Sequence, residues 1–494
     1  MMKETIFTLI MSKKEPTMSS VTQISEQVSS ILGDRACQWA RETGFIKRER
    51  AFNGADFAQS VLFGWLQSPQ LTTDGLSQVL GRRQVHISAA GLSQRFTKEA
   101  ATFLERILQA LTAVQMRAEA DVDVALLNRF SAVFLEDTSS LALPASLASL
   151  WGGCGAGTSS VKVAVRWEVR SGQLQGPSLM PGRRNDQNSP FGFEQLPVGS
   201  LFLGDLGYYH VGRFAAWHAT PKQRRYFLSR YRCGTWLLDR RGQPLEWEQI
   251  LPQAVGERKE RFALLGKEQH LPVRLLLERV PQEVAAQRRE RVRQMAQDHG
   301  REPDALTLWL CDWTVVVTNV PRRLLTFDEA LVLLRLRWQI ERLFRLWKQE
   351  GLIDEWNSKK PWRVLCELYA KLAAMVIQHW LIVAGTWQDP HRSLVKAAQV
   401  VQREAGSLMA AIGEQRLPVV IERTLECMQS GCRIQKRKAQ PSTAQLLEGA
   451  PLPPKRCPPK TQYRHAALLH RWPAGKGWAY QGYQHSRGHQ PLLT

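Results

Sequence analysis

At 494 residues the chain is too long for one compact core, so about two to four domains are expected. Its 44% hydrophobic and 22% charged residues fit a folded globular chain and exclude a low-complexity one, while 66 Lys and Arg against 45 Asp and Glu leave a net charge of +21. That surplus favours a polyanion such as nucleic acid, and the alternative of an anionic membrane finds no cationic amphipathic terminal helix to support it.

The first residues, 1–18, are read as a misassigned or disordered start, because Met2–Met11 is apolar but lacks a signal-peptide cleavage pattern. Residues 19–125 read as a helical DNA-binding domain. Val21, Ile24, Val28, Ile31 and Leu32 recur at helical spacing, as do Phe57, Val61, Leu62 and Trp65. Within it, LTTDGLSQVLGRRQVHISAAGLSQRF predicts a short helix capped by Asp74 and turned at Gly81, then a second helix running through Arg95. Read as a helix-turn-helix, this pair offers Ser88, Gln94 and Arg95 to DNA; two ordinary packed helices are the equally open alternative.

From Ser131 the period changes to that of strands. SAVFLED and LFLGD are apolar runs that end in Asp137 and Asp205, and VKVAVRWEVR alternates between them. A carboxylate closing a buried strand stands at the crevice where α/β folds place their ligands, although an Asx turn is the commoner reason for a single one. Glu136 points to the opposite face by strand alternation. Residues 126–210 therefore form the first part of a core and 211–311 a strand-rich insertion. In it, Arg288, Arg289, Arg291 and Arg293 are too frequent on one helix for a structural need. DWTVVVTNV reopens the core, whose second part spans 312–400. A helical segment, 401–432, and a basic, disordered tail, 433–494, complete the division. Eight scattered cysteines without a CxxC pair argue against a zinc site and for a reducing compartment. The most hydrophobic run, Tyr369 to Trp387, is interrupted by Lys371, Gln378 and His379, which predicts a buried core helix and not a membrane span.

The stretch LVLLRLRWQIERLFRLWKQE, Leu331 to Glu350, has no Gly or Pro and predicts one helix. Leu334, Glu341 and Lys348 stand seven apart, so they share a face, with Arg337, Phe344 and Arg345 beside them. A solvated stripe of charges is the usual reading of such a face. Here Leu333, Leu336, Trp338, Ile340, Leu343 and Trp347 leave little of the helix to water. A carboxylate between two cations in that setting suits a metal beside a phosphate.

Arg337-x3-Glu341-x6-Lys348 resembles the Y-x2-R-x3-E-x6-K signature of bacterial insertion-sequence transposases of the DDE class, in the insertion-sequence-four group, with Leu334 at the Tyr position. FLEDTS and LGDLGYY are similar to the sequences around that family's first and second acids, with Leu206 where the family usually has Arg. The resemblance implies an α/β, ribonuclease H-like mixed sheet flanked by helices, and a catalytic triad of Asp137, Asp205 and Glu341 holding Mg²⁺ or Mn²⁺. It further implies binding to double-stranded DNA at the element's inverted repeats and target, cleavage and strand transfer. Arg337, Lys348 and Arg345 would touch phosphates, a homodimer would form the synaptic complex, and the protein would work in the bacterial cytoplasm at the nucleoid, with no membrane. In relatives that release their element through a DNA hairpin, a Trp of the insertion holds a flipped base. Trp313 matches it by position, with Trp309 as the neighbour; strand-end packing is the competing role. Two other functions stay open: a catalytically inactive, transposase-derived DNA-binding repressor, and a nuclease that cuts without joining.

Overall fold

The computed structural model describes residues 20–48, 52–185, 187–194, 196–218, 220–298, 300–434 and 440–454. The expected start at 1–18 and most of the expected tail lie outside them. In chain order, six helices come first: α1 (Ser20–Leu32), α2 (Asp34–Glu42), α3 (Gly54–Gln67), α4 (Thr73–Gly81), α5 (Ala89–Ser93) and α6 (Lys98–Ala113). Strands β1 (Val133–Leu143), β2 (Ser159–Glu168), β3 (Leu174–Pro181) and β4 (Leu201–Gly204) follow, then α7 (Val211–His218), β5 (Tyr226–Arg230) and β6 (Leu237–Leu238). Next come α8 (Trp247–Ile250), β7 (Arg258–Leu265), β8 (Leu271–Arg279), α9 (Gln282–Asp298), α10 (Ala305–Leu310) and β9 (Trp313–Thr318). The remaining helices are α11 (Phe327–Leu336), α12 (Gln339–Gln349), α13 (Pro361–Thr386), α14 (Leu394–Gly413), α15 (Leu417–Gly431) and α16 (Thr443–Leu447).

These elements fall into two compact units. The first takes the described residues of Met1–Asp121, Trp356–Gln388 and Ser393–Cys432. It is all helix, built around α13, which packs on α3, α6, α14 and α15. By composition α13 could cross a membrane, yet 94% of its most apolar window is buried inside the protein. Its charged residues find partners inside this unit: Lys371 Nζ lies 2.9 Å from Glu367 Oε1, and the Arg363 guanidinium lies over the Phe96 ring, 3.6 Å from its centre. The sequence division had placed α13 in the second part of the core. Its apolar surface runs all round the helix, and such a surface needs a bundle to cover it.

The second unit takes the described residues of Val122–Glu355, Asp389–Arg392 and Arg433–Thr494. It is a single nine-stranded mixed sheet in the order β3-β2-β1-β4-β5-β9-β8-β7-β6. Strands β1, β4 and β5 run parallel, and β2, β3 and β9 are antiparallel to their neighbours. With helices on the sheet, this is the α/β, ribonuclease H-like class expected. The insertion is not a separate body. Strand β5 belongs to the parallel centre, and β9 joins it to β8, so β6, β7 and β8 prolong the same sheet. On one face the register aligns Phe134, Phe202 and Phe227 across three strands. Helix α7 covers them, stacking Phe214 on Phe227 at 4.0 Å between ring centres. The opposite face of β1 meets α12, and α11 lies against β5.

Candidate active site

Strand parity and register assemble the site. Val133 pairs with Leu201 and Leu135 with Leu203, so the next inward position of that row sets Asp137 beside Asp205. Leu201 pairs with Tyr226 and Leu203 with Leu228, so the same row continues to Arg230 at the end of β5. Asp205 lies just past the last paired residue, Gly204, where the chain leaves the sheet through a tight turn closed by Tyr208 N–H donating to the Asp205 carbonyl at 2.9 Å. Gly204 is required there: a Cβ would stand 2.5 Å from the Phe202 ring. The intervening Glu136 takes the other face, as alternation predicts. It is fully buried, and Arg166, its cross-strand partner on β2, donates to it from Nε at 2.7 Å.

The third carboxylate comes from above the row. The single helix expected over Leu331–Glu350 is two, because the ladder tightens at the junction. Trp338 N–H donates to the Arg335 carbonyl and Ile340 N–H to that of Arg337, both three residues back. No Gly or Pro marks the change, which is why the sequence did not reveal it. Arg337 closes α11, and Glu341 sits in the first turn of α12, where the helix dipole favours a negative charge. Arg337 reaches across the junction, its guanidinium donating to Glu341 Oε1 at 2.7 Å.

The electrostatics tie these groups together. Burial pushes the Asp137 carboxyl up to about 7; Arg337 opposes this, while the charges of Asp205 and Glu341 add to it. For Arg337 burial acts downward, but Asp205, Glu341 and Asp137 outweigh it and raise its pKa. Arg230 is exposed at the end of β5, yet the protein packed about its guanidinium and the charge of Arg337 lower its pKa, with Asp205 and Glu341 pulling the other way. The sequence reading missed Arg230. Its signal was a cation ending the strand after the second acid, YFLSR. All the donors are hard carboxylate oxygens, chemistry that suits Mg²⁺ or Mn²⁺ over zinc. Among the described residues, however, no three His, Cys, Asp or Glu side chains gather closely enough to hold a metal ion as placed. Arg337 supplies the neutralising charge on Glu341 instead.

Other predicted residues lie elsewhere. Lys348 is near the far end of α12, about 10 Å along the axis from Glu341. Burial lowers its pKa, with Asp354 acting against this. Arg345 is exposed and lies over Trp338, 5.6 Å from the ring centre. In the helical unit, α4 is capped by Thr72 and not Asp74, and the expected second helix is the five-residue α5. Ser88 caps α5, its hydroxyl accepting from Gly91 N–H at 3.1 Å, so that oxygen already has a structural task. Gln94 and Arg95 follow α5 and are exposed, with Arg95 over Phe52 at 5.8 Å. Of the four arginines thought too many for structure on α9, two are structural. Arg288 is buried and donates to the Trp313 carbonyl at 2.8 Å, and Arg289 pairs with Asp312 at 2.6 Å.

Trp313 packs. It is 6% exposed, its indole N–H donates to the Pro252 carbonyl at 2.9 Å, and Trp309 and Arg279 lie against it. A ring so enclosed has no face free for a base. Trp313→Ala is therefore expected to cost about 3–5 kcal/mol, the usual loss for a large buried aromatic. Thermal melts and hairpin assays on the same protein check this. A fully stable variant that loses only hairpin formation would restore the stacking role.

The family described as "Transposase DDE domain" matches residues 150–377, a span that holds Asp205 and Glu341 and begins after Asp137. The chain is 28% identical over 368 residues to the transposase for insertion sequence element IS231C of Bacillus thuringiensis subsp. berliner, covering 68% of this chain and 75% of that one. It is 28% identical over 369 residues to the IS231F transposase of Bacillus thuringiensis subsp. israelensis, covering the same shares. With the IS1151 transposase of Clostridium perfringens the identity is 23% over 371 residues, covering 69% and 76%.

Proposed function

We propose that this chain, similar to bacterial insertion-sequence DDE transposases, is one of them, and that it binds the terminal inverted repeats of its own element, cuts them and joins the freed ends to target DNA. The observation that carries this reading is the row of Asp137, Asp205 and Arg230 beneath the Arg337–Glu341 pair. Asp137, Asp205 and Glu341 would hold a divalent cation, Mg²⁺ or Mn²⁺, which when bound polarises the attacking and leaving oxygens of an in-line phosphoryl transfer. Arg230 and Arg337 bring two guanidinium groups to the carboxylates, where they can orient a phosphate through paired N–H donors. The exposed Arg345 and the more buried Lys348 extend the basic side of α12 along the DNA. Gln94 and Arg95 in the helical unit supply further DNA contacts. Synapsis of two ends calls for two copies of the chain, and the resemblance of Arg337-x3-Glu341-x6-Lys348 to its signature supports the insertion-sequence-four group. The work is done in the bacterial cytoplasm at the nucleoid.

The test is cleavage of a DNA fragment ending in the element's inverted repeat, against a scrambled end, with Mg²⁺ and with Mn²⁺. Selective binding and cutting of the true end are expected. Selective binding with no cutting under either ion would make this a DNA-binding repressor. Cutting without any joined product would leave a nuclease.

Binding should also weaken steeply with salt. If six to ten phosphates are contacted, affinity drops roughly 10³- to 10⁵-fold between about 50 and 200 mM salt. Truncation after Pro454 removes a basic stretch that includes Lys455, Arg456, Lys460 and Arg464 and should make that slope shallower. An unchanged slope means the removed stretch does not meet DNA.

A further inference from the structure

We propose that the short C-terminal segment around α16 is a brace that sets the junction between α11 and α12, and that Thr443 and Gln339 are positioning residues for Arg337 and Glu341. The inference rests on the proposed catalytic role of Glu341. The tail was expected to be disordered from 433 onward, yet residues 440–454 are placed and α16 is a built element. Ser442 and Gln445 form a reciprocal capping box: Gly-free and only five residues long, α16 depends on that cap and on packing to persist. Ala444 and Leu446 are buried, 7% and 3% exposed, and α16 packs on α11.

The contact that matters is polar. Gln339 is the first residue of α12, midway between Arg337 and Glu341, and its Nε2 donates to Thr443 Oγ1 at 3.0 Å. The junction itself holds few backbone bonds of ordinary helical type, since its ladder has shortened by one residue. A helix start with orphan N–H groups and a tightened preceding turn is the least constrained part of such an element. The Thr443 hydroxyl fixes its first side chain from outside.

The segment is tied at its far side as well. Glu448 Oε1 lies 3.0 Å from His391 Nε2, Arg433 Nε lies 2.8 Å from Asp389 Oδ2, and Ile434 N–H donates to the His391 carbonyl at 2.8 Å. Thus Glu448, at the end of α16, is tied to His391, in a stretch that residues 433–434 also clasp, and α16 itself bears on α11 and the catalytic helix junction. A support that orients a ligand-bearing group typically affects metal affinity or activity about 10- to 100-fold when removed.

The experiment compares full-length Thr443→Val, Thr443→Ser and Leu446→Asp with the wild type. Its first readout is amide hydrogen exchange through residues 337–342, which does not depend on activity. Faster exchange there in Thr443→Val and Leu446→Asp is expected, with Thr443→Ser restored to wild-type rates and the melting temperatures of the two Thr443 variants close to that of the wild type. Its second readout is end cleavage against Mn²⁺ concentration. Thr443→Val should need about tenfold more Mn²⁺ for half-maximal cutting, while binding to end DNA stays unchanged. Wild-type exchange and Mn²⁺ dependence in both Thr443→Val and Leu446→Asp would overturn the brace. So would a uniform loss of melting temperature and DNA binding that Thr443→Ser fails to rescue. If the wild type itself cuts no ends, the proposed function fails, and the exchange readout still judges the brace on its own.

Discussion

Asp205→Asn, Glu341→Gln and Asp137→Asn are each expected to abolish cleavage of end DNA while leaving its binding near the wild-type level. Register puts the two aspartates side by side on one sheet face, and Glu341 enters from the first turn of α12. Each amide keeps the size of the acid and removes the charge that a divalent cation needs. Loss of metal-assisted charge stabilisation worth several kcal/mol lowers the rate on the order of a thousandfold or more. The measurement is single-turnover cutting of a labelled end, with a gel shift on the same preparations. Binding should hold because the acids repel DNA phosphates; removing one cannot weaken the attraction. Cutting at wild-type rate by any one variant takes that residue out of the triad. The Asp137 variant is the most informative of the three, since the family match begins only at residue 150.

The metal-free protein should lose stability as pH rises from about 4 to about 7, and Asp137→Asn should remove that loss. The sign follows from proton binding. Asp137 has its carboxyl raised from the ordinary 3.8 to about 7 by burial, with Asp205 and Glu341 adding to the effect against Arg337. Between those values the folded chain keeps a proton that the unfolded chain has released, so folding is favoured by acid and weakened by base. Above about pH 7 both states are ionised and the contribution levels off at its least favourable value. Between pH 5 and pH 8 the wild type should fall relative to Asp137→Asn by roughly 2–3 kcal/mol. Thermal melts of both proteins at the two pH values, in the presence of a chelator, measure it. Parallel pH profiles for wild type and variant would show that Asp137 is not the group responsible. Repeating the melts with Mn²⁺ should raise the wild type at pH 8 more than the variant, because a bound cation stabilises the ionised acid.

How much of this was legible beforehand depended on the kind of residue. Asp137 and Asp205 each end or interrupt an apolar run, and alternation alone separated Asp137 from Glu136. Period-two patterning is a local property, so sequence carries it. The Glu341 helix was legible for the same reason, through its spacing of cations and its resemblance to a known signature. The buried helix from Pro361 was legible from its continuous apolar character. Tertiary structure alone decided the rest. The junction at Arg337 and Trp338 has no breaker residue; packing on two different strands bends the ladder where propensity favours one helix. Trp313 and Trp309 look alike as sequence, and only the Pro252 carbonyl and the Arg279 stack show that Trp313 is enclosed. Arg288 and Arg289 read as surplus charge until the carbonyls and the carboxylate they serve, more than twenty residues away, are brought beside them. Arg230 joins the acids only because β5 runs parallel to β4 in a register that no local pattern encodes. Patterning states which face a side chain takes; which strand lies beside it is set by burial summed over the whole sheet, and that sum is not written in any one stretch of the chain.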